Sequence, residues 1–234
     1  MKFQKILLAG FFSLFCTMSF AQYNTMSEWY IGPSAGASMS TINLMPKLVD
    51  KLYTQGKTFG FTTRYISENH FGFQIDLNYF EAGWKEDLSG LKKASEYSYA
   101  RKLNFVEVPF LMHAYTGSET SRVFLNVGPK FSYLLSESEN IRDLSINNQL
   151  RDHNKAVANP FQYGIVAGAG LEFHLMRSVL GLEGRYCYGL TNLFDDKIDS
   201  ENFSSSSLQT ISLNVYFLFE LSGFNKKSHQ PLKL

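Results

Sequence analysis

The stretch Phe161–Leu175 reads FQYGIVAGAGLEFHL, and it alternates in character from one residue to the next. Every odd-numbered position is apolar, whereas the even positions hold glycine, glutamine, glutamate, histidine and one valine. Side chains of a β-strand point alternately to the two sides of a sheet, whereas a helix repeats its apolar positions every three or four residues. The stretch therefore predicts a β-strand with one apolar face and one polar face.

The same alternation recurs along the chain and predicts eight strands in total. Most of them are longer than the ~5–6 residues of an average globular strand. They reach the ~9–11 residues that a strand needs to cross a bilayer. The predicted segments are about 29–39, 57–67, 70–81, 99–116, 121–135, 160–176, 178–191 and 207–221.

The connections between these segments alternate between long and short. The short ones centre on residues 67–69, 117–120 and 177, and the long ones are loops 40–56, 82–98, 136–159 and 192–206. Short periplasmic turns and long external loops are typical of outer-membrane barrels. The fold class predicted for residues 22–221 is therefore all-β: an eight-stranded, antiparallel, up-and-down transmembrane β-barrel, with the long loops on one side.

Composition agrees with this fold and excludes several others. Charged residues make up 18% of the 234 residues, below the ~25% usual in soluble domains. Mean hydropathy is −0.15, which argues against a bundle of membrane helices. The net charge of +1 gives no electrostatic basis for binding nucleic acid. Two cysteines are too few for a disulfide-rich scaffold or a four-cysteine zinc site.

Residues 1–21 have the pattern of a secretory signal peptide. A lysine-containing start precedes an apolar run from Ile6 to Met18, and Ser-Phe-Ala follows before Gln22. The run is shorter than the ~20 residues of a transmembrane helix, so an uncleaved anchor is the weaker alternative. A lipid-modified Cys16 is also disfavoured, because the preceding residue is a bulky phenylalanine. Cleavage before Gln22 leaves Cys187 alone, which excludes an internal disulfide.

The charged residues decide which face of the barrel points outward. Arginine or lysine on a lipid-facing surface costs about 2–4 kcal/mol at the bilayer midplane. The face that carries both signs of charge and most of the glycines is therefore predicted to line the lumen. Eight strands enclose only enough space for side chains, so we expect a filled lumen with a polar structural network. Its predicted members are Arg64, Asp76, Glu107, Lys130, Glu172, His174, Glu183 and Arg185. With the faces inverted, the chain would be a soluble ligand-binding barrel.

Four short motifs carry a resemblance to a known family. They are residues 103–111 (LNFVEVPFL), 126–129 (NVGP), 164–170 (GIVAGAG) and 185–192 (RYCYGLTN). Over roughly residues 28–221 the chain resembles the outer-membrane β-barrel proteins of Bacteroidota labelled "porin family" or PorT-like. The resemblance implies the outer membrane of a Gram-negative bacterium, and it implies no single function.

Pro109 lies in the middle of a predicted strand. Proline removes one hydrogen bond from the ladder and usually marks a bulge or an edge strand. Because a closed barrel has no edge, the sequence predicts a bulge or a local bend near Pro109.

These features favour a non-enzymatic outer-membrane protein without an open channel, whose long loops bind surface ligands or protein partners. Membrane lipid is the other expected partner, and residues 222–234 would form a short periplasmic tail. One alternative is an accessory subunit of a secretion or transport machine. A second is a lipid-modifying or hydrolytic enzyme, for which Glu172 and His174 are the candidate pair. No catalytic, cofactor or metal residues are predicted, because no histidine or cysteine pair has metal-ligand spacing.

Overall fold

The computed structural model describes residues 27–45, 50–87, 99–141, 156–194 and 205–222. These residues form the eight predicted strands. Their bounds are β1 (Glu28–Met45), β2 (Asp50–Glu68), β3 (Phe71–Asp87), β4 (Tyr99–Gly117), β5 (Ser121–Ile141), β6 (Phe161–Leu175), β7 (Ser178–Gly189) and β8 (Ser205–Glu220). The predicted signal peptide, residues 1–21, and the tail beyond residue 222 lie outside the described residues.

The strands form one closed antiparallel ring. Each strand pairs with the next in sequence, and β1 pairs with β8 from Tyr30 opposite Glu220 to Met45 opposite Ser205. The connections β2–β3, β4–β5 and β6–β7 are short and lie at one end, which we call the short-turn end. The other connections lie at the long-loop end. The predicted up-and-down barrel is confirmed.

Large apolar side chains cover the outside of the barrel. Leu125 is 63% exposed, Phe61 is 61% exposed and Phe73 is 59% exposed, and similar residues occur on every strand. An apolar surface of this extent is expected only where lipid or another apolar partner covers it. We call it the apolar belt. Among the described residues, no helix is long and apolar enough to cross a membrane.

The strands extend further toward the long-loop end than the sequence predicted. Residues 40–45, 50–56, 82–87 and 136–141 are strand, so the predicted loops 40–56, 82–98 and 136–159 are too long. Loop 192–206 keeps its length but shifts by two residues, because β7 ends at Gly189 and β8 begins at Ser205. The ladder continues past the simple alternation because inward side chains, such as the ion pair Lys51–Glu86, still meet across neighbouring strands. β1–β5 have 17 to 21 residues, whereas β6, β7 and β8 have 15, 12 and 16.

The bulge predicted near Pro109 is not at that residue. The register of β3 and β4 is the same at Glu107, opposite Asn78, and at Phe110, opposite Ile75. A proline lacks one N–H and can therefore remove one hydrogen bond without shifting the strand.

The register shift of β4 against β5 lies between Asn104 and Phe105 instead. Phe105 is opposite Leu134 and Asn104 is opposite Ser136, so Leu135 is the extra residue of the bulge. Leu135 and Ser136 then both face outward. Beyond the bulge the odd-numbered residues therefore face the lumen, where the even-numbered ones did before it. As a result, Glu137 and Glu139 turn toward the lumen.

Candidate functional site

Arg64 on β2 is the centre of the lower lumen, toward the short-turn end. Its guanidinium donates to Glu172 at 2.5 Å, to Gln74 at 2.7 Å and to the Tyr216 hydroxyl at 2.9 Å. The Tyr216 hydroxyl in turn donates to Glu172 at 3.2 Å. Arg64 and its partners are buried. One arginine thus joins its own strand, β2, to β3, β6 and β8.

Arg185 on β7 extends this network across the ring. It contacts Asp76 at 2.6 Å and Glu183 at 2.7 Å. Gln74 donates to Asp76 at 3.1 Å and thereby connects the Arg185 group with the Arg64 group.

A polar branch runs from Glu183 toward β4. The Asn126 amide donates to Glu183 at 2.8 Å, and its oxygen lies 2.8 Å from Nδ1 of His113. Because that oxygen can only accept, Nδ1 of His113 carries the proton. His113 is fully buried between the rings of Tyr115 and Phe124.

A separate ion pair lies higher in the lumen. Lys130 contacts Glu107 at 2.9 Å, and its ammonium lies 5.1 Å from the centre of the Phe80 ring. Cys187, the single cysteine predicted for the mature chain, is buried as a free thiol. The cation–π contact of Lys130 with Phe80 lies where the lining of the lumen changes from polar side chains to the apolar side chains of the long-loop end.

Apolar side chains fill the lumen at the long-loop end. We call this group the mouth cluster: Ile42, Leu44, Phe80, Ala82, Trp84, Tyr99, Leu103, Phe105, Leu193 and Phe194. Arg101 lies 5.5 Å from the Trp84 ring and 5.3 Å from the Phe194 ring. It also contacts Glu137 at 2.6 Å and Glu139 at 2.8 Å. The two glutamates therefore balance the charge of Arg101, which lies against the apolar side chains of the mouth cluster.

All eight residues predicted for the lumen network face inward, and seven of them are buried. His174 is partly exposed and lies 3.1 Å from Glu172. The structure joins Arg64, Asp76, Glu172, His174, Glu183 and Arg185 into one network and places Lys130 and Glu107 apart from it.

Several members of the lumen were missing from the prediction. Gln74, Asn126 and Tyr216 have the right parity, but they carry no formal charge and were passed over. Glu137 and Glu139 have the wrong parity in the sequence, and only the bulge at Leu135 brings them inward. In the described part of the chain, no three histidine, cysteine or carboxylate side chains are grouped as metal ligands would be.

Solved structures of outer-membrane and surface proteins align with this chain over most of their length. OprG from Pseudomonas aeruginosa aligns with a TM-score of 0.49 and 11% identity, over 83% of this chain and 95% of that chain. Ail from Yersinia pestis aligns with a TM-score of 0.41 and 14% identity, over 82% and 99%. The neisserial surface protein NspA aligns with a TM-score of 0.43 and 10% identity, over 82% and 96%. These similarities are of overall fold and carry no information on activity.

Sequence comparison identifies the family. No curated protein sequence matches the chain. The profile of the family described as "Outer membrane protein beta-barrel domain" matches residues 20–195, which is most of the chain. The narrower resemblance to the Bacteroidota porin-family and PorT-like proteins stays a prediction. The chain belongs to the outer membrane protein β-barrel domain family, and it is a β-barrel protein of the Gram-negative outer membrane.

Proposed function

We propose that this protein is a non-enzymatic outer-membrane barrel with a blocked lumen, whose long loops make its contacts with surface ligands or protein partners. The observation that carries the proposal is the network that connects Arg64, Gln74, Asp76 and Arg185 from one wall of the barrel to the other. A protein of this kind would act through what it displays outside the membrane rather than through what it lets pass.

The ion pairs support a closed lumen for an energetic reason. Arg64, Asp76, Glu183 and Arg185 are buried, and each has a partner of opposite charge. Breaking a buried pair leaves an uncompensated charge, which costs about 3–5 kcal/mol. A solute could pass only by separating several such pairs at once. The mouth cluster adds an apolar layer above them.

The Glu172–His174 pair is better explained as structural than as catalytic. One oxygen of Glu172 contacts His174, and the other accepts hydrogen bonds from Arg64 and Tyr216. A carboxylate with its oxygens occupied in this way has little freedom to take up a proton from a bound water. The backbone N–H of His174 donates to Thr120 in the β4–β5 turn, so the pair lies at the short-turn end. The outer leaflet, where a lipid-modifying enzyme of the cell surface would find its substrate, is at the other end.

The loop proposal rests on the topology. The β1–β2, β3–β4, β5–β6 and β7–β8 connections must emerge at the same end, because consecutive strands are antiparallel. The last three of them are long, whereas residues 46–49 alone connect β1 with β2. Binding residues are disproportionately found on loops held by a rigid scaffold. Co-purification in mild detergent would distinguish a solitary barrel from an accessory subunit of a larger machine.

Conductance across a planar bilayer tests the blocked lumen. We expect the wild-type protein to give no stepwise openings. The double variant Arg64→Ala/Arg185→Ala should give small openings, because both large cations of the network are removed. The matched control is Lys57→Ala/Lys102→Ala, which removes two exposed lysines of the outer surface and should stay closed. Stepwise openings of the wild-type barrel would overturn the proposal.

A further inference from the structure

The barrel wall has a gap above β7. Pairing of β6 with β7 stops at Gly164 opposite Gly189, and pairing of β7 with β8 stops at Tyr188 opposite Gln209. β6 nevertheless begins at Phe161 and β8 at Ser205, so both neighbours extend beyond the end of β7.

Residues 190–194, which we call the wall segment, close this gap. The N–H of Leu190 donates to the carbonyl of Tyr163 at 2.9 Å, and the Tyr163 N–H donates to the Thr191 hydroxyl at 2.9 Å. On the other side, the Leu193 N–H donates to the carbonyl of Ser206 at 3.0 Å. The Phe194 N–H also donates to the Ser206 hydroxyl at 3.0 Å, the Ser206 N–H donates to the Asn192 side-chain oxygen at 2.9 Å, and the Ala158 N–H donates to the Leu193 carbonyl at 2.9 Å. Hydrogen bonds on both sides of the segment therefore take the place of the strand ladder at this point of the ring.

The outer side of the gap is apolar. Phe161, Tyr163 and Leu190 all point outward and are about half exposed, at 53%, 47% and 48%. They continue the apolar belt up to the wall segment. Lipid chains that cover the belt therefore also reach the gap.

The inner side of the gap is apolar as well. Leu193 and Phe194 of the wall segment are fully buried in the mouth cluster, where Phe194 packs edge-on against Trp84. A cavity of about 20 Å³ lies at the lower edge of the gap. Its lining includes Phe80 and Phe105 from the lumen together with the outward-facing Tyr163. The polar residues Ser132, Gln162 and Thr210 also line it, so the cavity is a partly polar space on the lumen side of the wall.

Below the mouth cluster the lumen is polar, and the apolar path ends there. Lys130, paired with Glu107, lies against the same cavity and against Phe80. A molecule that enters from the belt would meet apolar side chains in the mouth cluster and then a buried ion pair. The arrangement suits a bound chain rather than a transported one.

We propose that the gap between β6 and β8 is a binding site for an alkyl chain, which reaches the mouth cluster from the outer leaflet when Leu193 and Phe194 move aside. An alkyl chain fits because the belt outside and the mouth cluster inside are both apolar and meet at the wall segment. Its burial would replace the apolar contacts that Leu193 and Phe194 give up. The site lies above the network that blocks the lumen, so a conductance result leaves this proposal unaffected.

Trp84 provides a reporter inside the proposed site. The sequence has two tryptophans, and the other, Trp29, lies in the belt and is 46% exposed. In the Trp29→Phe protein, fluorescence therefore reports on Trp84 alone. We would reconstitute this protein in vesicles and add stearic acid brominated in mid-chain, whose bromines quench tryptophan on close approach. We expect saturable quenching of Trp84. Quenching that is absent, or that only rises linearly with the brominated chain, would overturn the proposal.

Two phenylalanines provide a matched comparison in the same background. Phe194→Ala removes a ring from the wall segment, whereas Phe173→Ala removes an outward ring from the belt near the short-turn end. Apolar cavities made by such truncations stay dry and take up apolar ligands. We expect Phe194→Ala to lower the half-saturating concentration by roughly tenfold, because the ring no longer competes for the space, and Phe173→Ala to leave it unchanged. Equal effects of the two substitutions would contradict the proposed site.

Two arms of the experiment distinguish the molecules that could supply the alkyl chain. Vesicles made with phospholipid brominated in its acyl chains test whether a membrane lipid can insert a chain, and free brominated stearate tests a soluble amphiphile. Saturable quenching in either arm supports the site and identifies the source. Its absence in both arms refutes the site. Should Phe194→Ala fail to fold, the two arms with the Trp29→Phe protein still decide.

Discussion

Gly181 on β7 leaves the space that the Tyr216 ring occupies. The two residues are directly opposite each other on β7 and β8, and a methyl group at position 181 would overlap the ring. Tyr216 in turn holds Arg64 and Glu172 with its hydroxyl. A glycine on one strand therefore determines the position of an arginine on another.

This dependence predicts that Gly181→Ala destabilises the barrel by about 1–3 kcal/mol, the usual cost of overpacking a filled interior. Gly184→Ala is the matched control on the same strand, because a methyl group there would meet only the Ala169 carbonyl at 3.9 Å. Urea unfolding of both variants in lipid vesicles would measure the difference. Equal unfolding midpoints would contradict the role assigned to Gly181.

At the scale of single elements, the β6–β7 turn contains avoidable strain. It consists of Met176 and Arg177, and Met176 has a φ angle of 55° although it carries a side chain. The side chain of Met176 is fully exposed and makes no packing contribution. Residues with a side chain are disfavoured in this backbone region, whereas glycine is not.

We therefore expect Met176→Gly to stabilise the protein by about 1 kcal/mol, a typical strain for a left-handed residue other than glycine. Arg177→Gly, one residue later, relieves no strain and should stabilise nothing. Unfolding midpoints of the two variants in the same vesicles give the comparison. A gain for Arg177→Gly alone would show that turn strain is not the cause.

Element boundaries mark the limit of what the sequence could predict. Strict alternation identified all eight strands and both faces, because lipid outside and a narrow lumen inside demand opposite residue types. The alternation predicted the wrong side-chain directions where an irregularity such as a bulge interrupts a strand. The bulge at Leu135 reverses the parity, so the sequence could not place Glu137 and Glu139 beside Arg101. Residues 192–194 of the wall segment were predicted as loop, because the buried residues Leu193 and Phe194 have no periodic pattern.

The whole molecule is expected to cross the membrane, which an outward substitution can test. Val127 faces outward from the middle of β5, and Asn140 is exposed near the outer end of the same strand. Val127→Arg should destabilise the barrel by about 2–4 kcal/mol, the cost of a cation deep in the hydrocarbon. Asn140→Arg should have little effect.

Gel mobility provides the measurement. A folded outer-membrane barrel that survives detergent migrates differently before and after boiling. We expect such a shift for the wild-type protein, and we expect Val127→Arg to lose it at a lower temperature than Asn140→Arg. Loss of the shift at one temperature for both variants would mean that Val127 does not face lipid.

The unequal heights of the apolar belt have a mechanical consequence. On β6, every outward position of the 15-residue strand is apolar, up to Phe161. On β3, the apolar positions stop at Tyr79, because the next outward residue is Glu81. A bilayer of uniform thickness fits both sides best when the barrel axis tilts, since each ångström of mismatch costs a fraction of a kcal/mol. The protein should therefore lean toward its β6 side, so that each copy has a defined heading in the plane of the membrane.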